Sequence, residues 1–258
     1  MKGIIIFDKK KNLKQSDLTE KLENGDVIYF PPSQIDFVNE KLLATLTDKP
    51  TVSVVNLLGN QIKIFLQTFI IPYNEGMTQL QGKFWVEKRP SKPIPILQSD
   101  VLKNGISNGK RILRFFIKFP TKSPSFWVHG SSFEHAVQYF SKHRSLFKPA
   151  PLLKRWFHKL FKQPFSSYDF FLSRLQNLIK NDAAFQKQID KQEMKIEPYA
   201  AILAFTDHHC YDLVGKDNVY EQTFLIHRHS LLNPEVAPAS FLQRLMDQNP
   251  VDPEYVIL

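Results

Sequence analysis

Two short polar stretches hold the side chains best suited to chemistry, and each follows an apolar segment. The first is Gln98-Ser-Asp100, in which residues 98 and 100 face the same side when the chain is extended. The second contains the adjacent pair His208 and His209. A carboxylate near imidazoles is typical of Fe(II) sites built from two histidines and one carboxylate. The first arm of such a site is ordinarily His-x-Asp, and Gln stands in place of that His here. The residue types alone therefore favour a solvent-exposed histidine pair in a loop over a metal centre.

Two arginines follow on the apolar segment 111–118, whose composition predicts a strong strand. Arg111 and Arg114 are three positions apart and therefore face opposite sides of that strand. We expect Arg114 to point into the core, because Ile112 and Phe116 share its face. A surface position for Arg114 is the alternative.

A basic aromatic segment, 152–162, is a candidate for contact with anions. Its apolar pairs recur every four residues and its basic residues fill the opposite side, which predicts an amphipathic helix. The aromatic side either packs into the protein core or lies on an anionic membrane surface, where such faces are typical. No nucleic-acid-binding motif accompanies the charge, so we expect no nucleic-acid partner. The candidate contact residues are Lys154, Arg155, Trp156, Lys159 and Lys162.

The composition limits the class of protein. The chain has 258 residues, with 34 Lys and Arg against 25 Asp and Glu, and a net charge of +9 that favours an anionic partner. An apolar content of 43% excludes a mostly disordered chain. A single cysteine, Cys210, excludes a disulfide framework and favours a reducing compartment. The N-terminal apolar run is too short for a signal peptide, so we expect a cytoplasmic protein.

The elements that must position these residues are short strands interspersed with helices. Segment 51–73 has strand-like apolar spacing, but its periodicity leaves helix and strand open. Ser16 is the expected N-cap of the first helix, and Ser166 with Asp169 forms an expected capping pair. Strands are predicted at 26–30, 111–118, 126–127, 199–206 and 219–226, and helices at 16–23, 36–46, 133–143, 152–162, 167–180 and 239–246.

Strands on either side of a central helical insertion predict a mainly β, α+β fold. The expected core is a double-stranded β-helix, that is, a jelly roll of the cupin type. We expect one domain over residues 1–258. Its N-terminal helices fall at about 16–46, and its helical insertion falls at about 133–185.

Four segments in order along the chain carry a family resemblance that extends from about Leu22 to Leu245. They resemble landmarks of the Kdo hydroxylases, which use Fe(II) and 2-oxoglutarate to hydroxylate the 3-deoxy-D-manno-oct-2-ulosonic acid sugar of lipopolysaccharide and lipid A precursors. The resemblance implies those two cofactors and a Kdo-containing glycolipid as partner. The segments are Leu22-Glu-Asn-Gly-Asp-Val-Ile-Tyr-Phe-Pro31, Gly109-Lys-Arg-Ile-Leu-Arg-Phe-Phe116, Ser167-Tyr-Asp169 and Glu221-Gln-Thr-Phe224.

The resemblance also implies where the iron ligands belong. The family's His-x-Asp arm matches Gln98-Ser-Asp100, so the carboxylate is kept and the first histidine is replaced. The second histidine follows a stretch that matches 205–207, and counting without gaps places Tyr211 at that position. A glutamine amide and a phenol with a pKa of about 10 bind Fe(II) less well than imidazole. A small shift of the chain would instead bring His209 inward beside Asp100.

Two functions follow from this departure, and the sequence leaves both open. In one, the protein is an oxygenase in which Arg114, or Arg111, pairs with the distal carboxylate of 2-oxoglutarate. In the other, it is a pseudoenzyme that binds an anionic glycolipid or a protein without catalysis. In either case, we expect peripheral contact with the inner membrane from the cytoplasmic side.

Overall fold

The structure is a computed structural model that describes residues 3–9, 14–37, 51–85, 95–102, 105–120, 124–143, 146–147, 166–215 and 218–246. Within these ranges, ten strands form two sheets that are flanked by seven α-helices. The strands are β1 (Ile4–Ile6), β2 (Val27–Phe30), β3 (Met77–Gln79), β4 (Lys83–Trp85), β5 (Arg111–Lys118), β6 (Ser125–Ser132), β7 (Gln192–Ile196), β8 (Ala201–Phe205), β9 (His209–Val214) and β10 (Val219–Ile226). The helices are α1 (Gln15–Glu23), α2 (Val52–Phe65), α3 (Gln67–Ile70), α4 (Phe133–Phe140), α5 (Ser167–Asn181), α6 (Ala183–Gln188) and α7 (Pro238–Met246).

The larger sheet has seven strands in the order β1-β2-β8-β5-β10-β3, with β4 also paired to β10. Strands β1 and β2 are parallel, and the other neighbours in this sheet are antiparallel. The smaller sheet has the order β7-β6-β9 and is antiparallel. Strand β5 lies between β8 and β10, and all of its residues are buried. Any charged side chain on β5 must therefore find its partner inside the protein.

The two sheets face each other, and helices cover their outer faces. Alternation along β2 shows the arrangement: Ile28 and Phe30 pack with α1, α2 and α3, whereas Val27 and Tyr29 pack toward the smaller sheet. A third apolar cluster joins the smaller sheet to α4, α5, α6 and α7. Two facing sheets with helices outside confirm the predicted jelly-roll core, and the strands predicted at 111–118 and 219–226 have those bounds.

The segment whose periodicity was ambiguous forms helices in the described structure. Helix α2 occupies much of the range 51–73, and Thr51 caps it by accepting a hydrogen bond from the amide of Val54 at 3.4 Å. Leu58, Ile62 and Leu66 are fully buried and four positions apart, and they therefore share one face of a helix. The valines that suggested a strand lie at the start of α2, outside that buried stripe.

The two predicted N-caps have different outcomes. Ser166 accepts a hydrogen bond from the amide of Asp169 at 3.1 Å, which confirms the cap of α5. The expectation that Ser16 caps the first helix is wrong, because α1 begins one residue earlier, at Gln15, and its N-terminus has no side-chain cap. The hydroxyl of Ser16 instead donates to the neighbouring Asp17 at 3.2 Å.

Two predicted helices fall largely or wholly outside the described residues, namely 36–46 and 152–162. The predicted insertion at about 133–185 contains α4, α5 and the start of α6 where it is described. Across the described ranges, no single helix is long and apolar enough to cross a membrane. Residues 52–65 and 67–76 pass that test only as a pair bent by 70°.

One edge of the larger sheet is interrupted. Strand β10 pairs with β5 along its whole length on one side. On its other side it pairs with β4 through residues 219–221 and with β3 through residues 224–226. Between those two partners, the side-chain amide of Gln222 donates to the carbonyl of Leu80 at 2.6 Å. This edge is therefore built from two strands of three residues each.

Gly25 connects α1 to β2 at a position where only glycine fits. Its φ of +94° belongs to the left-handed region that favours glycine. An added Cβ would lie 2.1 Å from Cδ2 of His208 and 2.7 Å from Nε2 of His209. The turn therefore packs directly against the histidine pair.

We predict that Gly25→Ala lowers the free energy of unfolding by more than about 1 kcal/mol, because backbone strain and steric overlap add. Urea denaturation followed by circular dichroism would measure the loss. The matched control is Gly3→Ala, since a Cβ at Gly3 has no atom within 4 Å. Equal stabilities for the two variants would contradict the prediction.

Candidate functional site

The three positions predicted to match the iron ligands come together between the sheets. Gln98 and Tyr211 lie opposite each other and exchange two backbone hydrogen bonds of 3.0 Å. The hydroxyl of Tyr211 is 3.4 Å from a carboxylate oxygen of Asp100, to which it donates. Tyr211 is therefore in side-chain contact with Asp100 and is joined to Gln98 through the backbone.

Asp100 is already neutralised by an arginine. Nε and Nη2 of Arg114 donate to the two carboxylate oxygens of Asp100 at 2.5 and 2.7 Å. The hydroxyl of Thr206 donates to the same carboxylate. Asp100 and Arg114 are 5% and 6% exposed, so this two-point ion pair is shielded from water. Charge-assisted bonds of this geometry are among the strongest that a carboxylate makes.

A second carboxylate binds the other end of the same guanidinium. Nη1 of Arg114 donates to Glu221, which also accepts a hydrogen bond from the indole of Trp85 at 2.9 Å. Thr223 joins the group, because its hydroxyl lies 3.2 Å from Glu221 and 3.3 Å from Nη1 of Arg114. Burial alone would lower the pKa of Arg114, but the charge of Asp100 and its hydrogen bond outweigh burial and raise that pKa. Arg114 is therefore a permanent cation between two acidic side chains.

Tyr211 is held as a neutral phenol. Its ring stacks on that of Trp127, with centroids 4.8 Å apart and planes at 18°. Burial raises the pKa of the Tyr211 hydroxyl, and the nearby charge of Asp100 raises it further. A phenol with a raised pKa keeps its proton at neutral pH, so Tyr211 donates a hydrogen bond to Asp100.

The histidine pair is buried, and the expectation of a solvent-exposed loop is wrong. His209 begins β9, and His208 and His209 are only 7% and 8% exposed. The turn after β8 folds the pair against Gly25, whose carbonyl lies 2.7 Å from Nε2 of His209. A carbonyl only accepts, so Nε2 carries the proton. The ring of His209 also lies edge-on to those of His208 and His129, at 4.7 and 5.6 Å.

Arg111 occupies the opposite face of β5 and has its own carboxylate. Its Nε donates to both oxygens of Asp207 at 3.0 and 2.9 Å, and its guanidinium lies 4.2 Å from the ring centre of Phe205. Nη1 donates to the carbonyl of Glu23 at 3.3 Å. The side chains of Arg111 and Asp207 are 0% and 1% exposed. Arg111 therefore joins the larger sheet both to the turn after β8, through Asp207, and to the end of α1, through the carbonyl of Glu23.

The side chains around Asp100 do not fit Fe(II). The three matched positions supply one carboxylate, one amide and one protonated phenol, and Arg114 occupies both oxygens of the carboxylate. His209, the alternative ligand, is bonded to the carbonyl of Gly25. Within the part of the chain that the structure describes, no group of three His, Cys, Asp or Glu side chains is placed to hold a metal ion. The residues present therefore do not support chemistry at a bound iron ion.

The sequence assigns no role to two important acidic residues. Glu221 lies in a strand that is otherwise apolar or neutral, and Asp207 follows a wholly buried strand. A charge inside an apolar stretch signals a buried partner of opposite sign. The sequence carries that signal, but it does not say that Arg114 pairs with Glu221 and Arg111 with Asp207.

The predicted 2-oxoglutarate contact and the predicted membrane contact involve different parts of the chain. Arg114 and Arg111 are both present in buried ion pairs, and their role toward 2-oxoglutarate stays a prediction. The basic aromatic segment 152–162 lies outside the described residues. Its contact with an anionic surface also stays a prediction.

Comparison with known proteins identifies related sequences and folds. The sequence profile of a family described as 3-deoxy-D-manno-oct-2-ulosonic acid (Kdo) hydroxylase matches residues 59–249. A search among curated proteins finds no match.

Three solved structures of the Kdo hydroxylase KdoO, a non-heme Fe(II) alpha-ketoglutarate-dependent dioxygenase, have a similar fold. The complex with succinate and Fe(III) has a TM-score of 0.78 and 20% identity, and covers 99% of each chain. The cobalt(II) complex has a TM-score of 0.79 and 21% identity, with the same coverage. The apo structure has a TM-score of 0.79 and 20% identity, over 99% of this chain and 100% of that one.

We predict that Asp207→Asn destabilises the protein by about 3–5 kcal/mol, because it leaves the guanidinium of Arg111 buried without its counter-charge. The matched control is Asp36→Asn, which breaks the exposed ion pair with Lys9 and costs less than about 1 kcal/mol. Urea denaturation of both variants at neutral pH makes the comparison. A loss for Asp207→Asn as small as for Asp36→Asn would show that the buried pair is not needed for stability.

Proposed function

Because the chain belongs to the Kdo hydroxylase family, we propose that it recognises the Kdo sugar of a lipopolysaccharide or lipid A precursor without hydroxylating it. The fold and the family membership support recognition of a Kdo-containing glycolipid. The side chains at the matched ligand positions argue against iron-dependent turnover. In this proposal the protein is a pseudoenzyme that acts as a glycolipid-binding module.

The proposed absence of turnover rests on one observation, the ion pair between Asp100 and Arg114. An Fe(II) ion at Asp100 needs at least one free carboxylate oxygen and imidazole ligands beside it. Arg114 binds both oxygens of Asp100, and Tyr211 and Gln98 stand where the family's histidines match. Iron would have to displace a buried guanidinium and would gain only weaker ligands.

Charge supports an anionic partner for the binding function. The net charge of +9 is opposite in sign to the carboxylate of Kdo and the phosphates of lipid A. The basic residues of segment 152–162 are the candidates for that contact, with Trp156 at the membrane interface. We place this contact at the cytoplasmic face of the inner membrane, where glycolipid precursors would be met.

The alternative function is a Kdo hydroxylase that turns over with a weak iron site. It requires His209 to leave the carbonyl of Gly25 and to approach Asp100, and it requires Arg114 to release that carboxylate. No observed contact favours this rearrangement over the packed state.

We predict that the wild-type protein releases no succinate from 2-oxoglutarate when it is supplied with Fe(II) and a Kdo-containing lipid acceptor. The variant Gln98→His/Tyr211→His supplies the two imidazoles that the matched positions lack. We expect this variant to bind Co(II) measurably, as seen in its visible absorption spectrum, because imidazole is a far better ligand than amide or phenol. Succinate release in the same variant would show that the scaffold still supports turnover.

The matched control for that experiment is Gln98→Asn/Tyr211→Phe, which changes the same positions without adding imidazoles. It should resemble the wild type in Co(II) binding and in succinate release. Succinate release coupled to acceptor hydroxylation by the wild type would refute the pseudoenzyme proposal and establish the oxygenase.

We predict that the protein sediments with phosphatidylcholine vesicles that contain Kdo-lipid A at low salt, and not with phosphatidylcholine alone. Substitution of Lys154, Arg155, Lys159 and Lys162 by Gln should abolish this binding, because four positive charges are removed from one segment. High salt should weaken wild-type binding, since screening shortens the reach of exposed charges.

A control with equal charge loss separates a local surface from net charge. The exposed residues Lys21, Lys63, Lys142 and Lys187 are suitable positions for the same change to Gln. This control should keep the binding. If the wild-type protein does not bind Kdo-lipid A vesicles at low salt, the glycolipid proposal is wrong. If both variants lose vesicle binding equally, segment 152–162 is not the contact surface.

A further inference from the structure

We propose that Arg114 is the resident cation of this site, and that its guanidinium supplies to Asp100 and Glu221 the positive charge that a bound metal would otherwise provide. The inference rests on the proposed function, because it explains how the fold persists without iron. It goes further by assigning a charge-compensating role to one side chain. The expected consequence is a site whose stability does not depend on any divalent cation.

The geometry of the guanidinium supports this role. Arg114 uses its Nε and Nη2 edge for Asp100 and its Nη1 for Glu221, so both carboxylates bind one rigid planar group. The same Nη1 reaches the hydroxyl of Thr223 at 3.3 Å. This division of donors matches the preference of arginine for carboxylates in buried sites, which a lysine ammonium cannot reproduce.

Among the described residues, the other hydrogen bonds to the two carboxylates come from neutral donors. Asp100 accepts from Thr206 and Tyr211, and Glu221 accepts from Thr223 and the indole of Trp85. Neutral donors satisfy lone pairs but do not supply a compensating charge. The acidic residues are each 5% exposed, so water cannot supply the compensation at low cost. Loss of Arg114 would leave two carboxylates close together in a buried space.

The chain positions of these residues show why the charge is needed for the fold. Asp100 belongs to the segment that pairs, through Gln98, with β9 of the smaller sheet. Glu221 belongs to β10, which pairs with β5 in the larger sheet. Arg114 on β5 joins both. Arg114 therefore connects the larger sheet to the segment around Gln98 and Asp100, which pairs with the smaller sheet.

The test compares melting temperatures of the full-length protein with and without Mn(II), an ion that suits oxygen ligands. Arg114→Met should lower the Tm by about 10 °C, since two buried carboxylates lose their counter-charge. Adding Asp100→Asn to Arg114→Met should recover roughly half of the loss, because one of the two charges is then removed. A role in packing alone predicts no recovery in the double variant.

Mn(II) provides a second readout. The wild type should show no change of Tm with Mn(II), because its site already holds a cation. Arg114→Met should gain about 5–10 °C when Mn(II) is about 100-fold above its dissociation constant. The double variant with Asp100→Asn should lose that gain. The control Arg244→Met removes an exposed arginine that pairs with Glu235 and should leave both the Tm and the metal response unchanged.

Three results would overturn the inference. They are a Tm increase of the wild type with Mn(II), a Co(II) absorption band in the wild type that Asp100→Asn abolishes, and a double variant no more stable than Arg114→Met. If Arg114→Met does not fold, the Co(II) measurement on the wild type and on Asp100→Asn decides alone. The outcome is separable from the proposed function. If the wild type binds metal at Asp100 but releases no succinate, only the inference that Arg114 is the resident cation is contradicted. Hydroxylation by the wild type would contradict the pseudoenzyme proposal.

Discussion

The need to neutralise two arginines on one buried strand governs the rest of the structure. Strand β5 is buried along its whole length and presents Arg111 to one face of the larger sheet and Arg114 to the other. Removing a charge from water costs several kcal/mol unless it is paired and hydrogen-bonded in place. The fold meets that cost with Asp207 on one face and with Asp100 and Glu221 on the other. Because those acids come from distant parts of the chain, the pairings also fix how the elements assemble.

Asp100, which the sequence resemblance matches to the carboxylate that the Kdo hydroxylase family uses for iron, is paired with an arginine in this chain. Asp100 lies beside positions 98 and 211, as the family pattern implies, but a guanidinium holds it. Structures that share 20–21% identity with the chain establish a common fold, and a fold hosts many functions. The donors at three positions therefore decide the chemistry. Tyr211 shows how such a position can be reused, since its ring packs on Trp127 and its hydroxyl supports the carboxylate.

The sequence predicts the strands well where composition and burial agree. Residues 111–118 and 219–226 are apolar enough to lie between neighbouring strands, and their bounds follow from that pattern. Segment 51–73 is harder, because valine favours strands while the buried stripe through Leu58, Ile62 and Leu66 has helical spacing. Tertiary packing decides between helix and strand in such segments, and residue propensities carry no information about that packing.

The candidate site is only partly predictable, for a related reason. The family resemblance makes Asp100 and Tyr211 candidates, since each lies at a set distance along the chain from a recognisable segment. It cannot reveal that Arg114 turns its guanidinium toward Asp100, because that pairing depends on the three-dimensional register of β5, β10 and β9. The burial of His208 and His209 has the same origin. In the sequence, a polar pair after a strand indicates a surface loop. Its burial becomes visible only in the structure, where the turn at Gly25 packs against it.

The interrupted edge of the larger sheet has a consequence for how molecules of this protein meet one another. An unpaired strand edge is a template for another chain, and long flat edges promote aggregation. Here β3 and β4 divide one edge into two pieces of three residues, and β1 at the other edge is equally short. Within the residues that the structure describes, neither rim of the larger sheet offers a continuous row of backbone donors and acceptors on which a neighbouring copy could extend the sheet. The apolar inner strands of the larger sheet are thereby protected from edge-to-edge pairing with a second molecule.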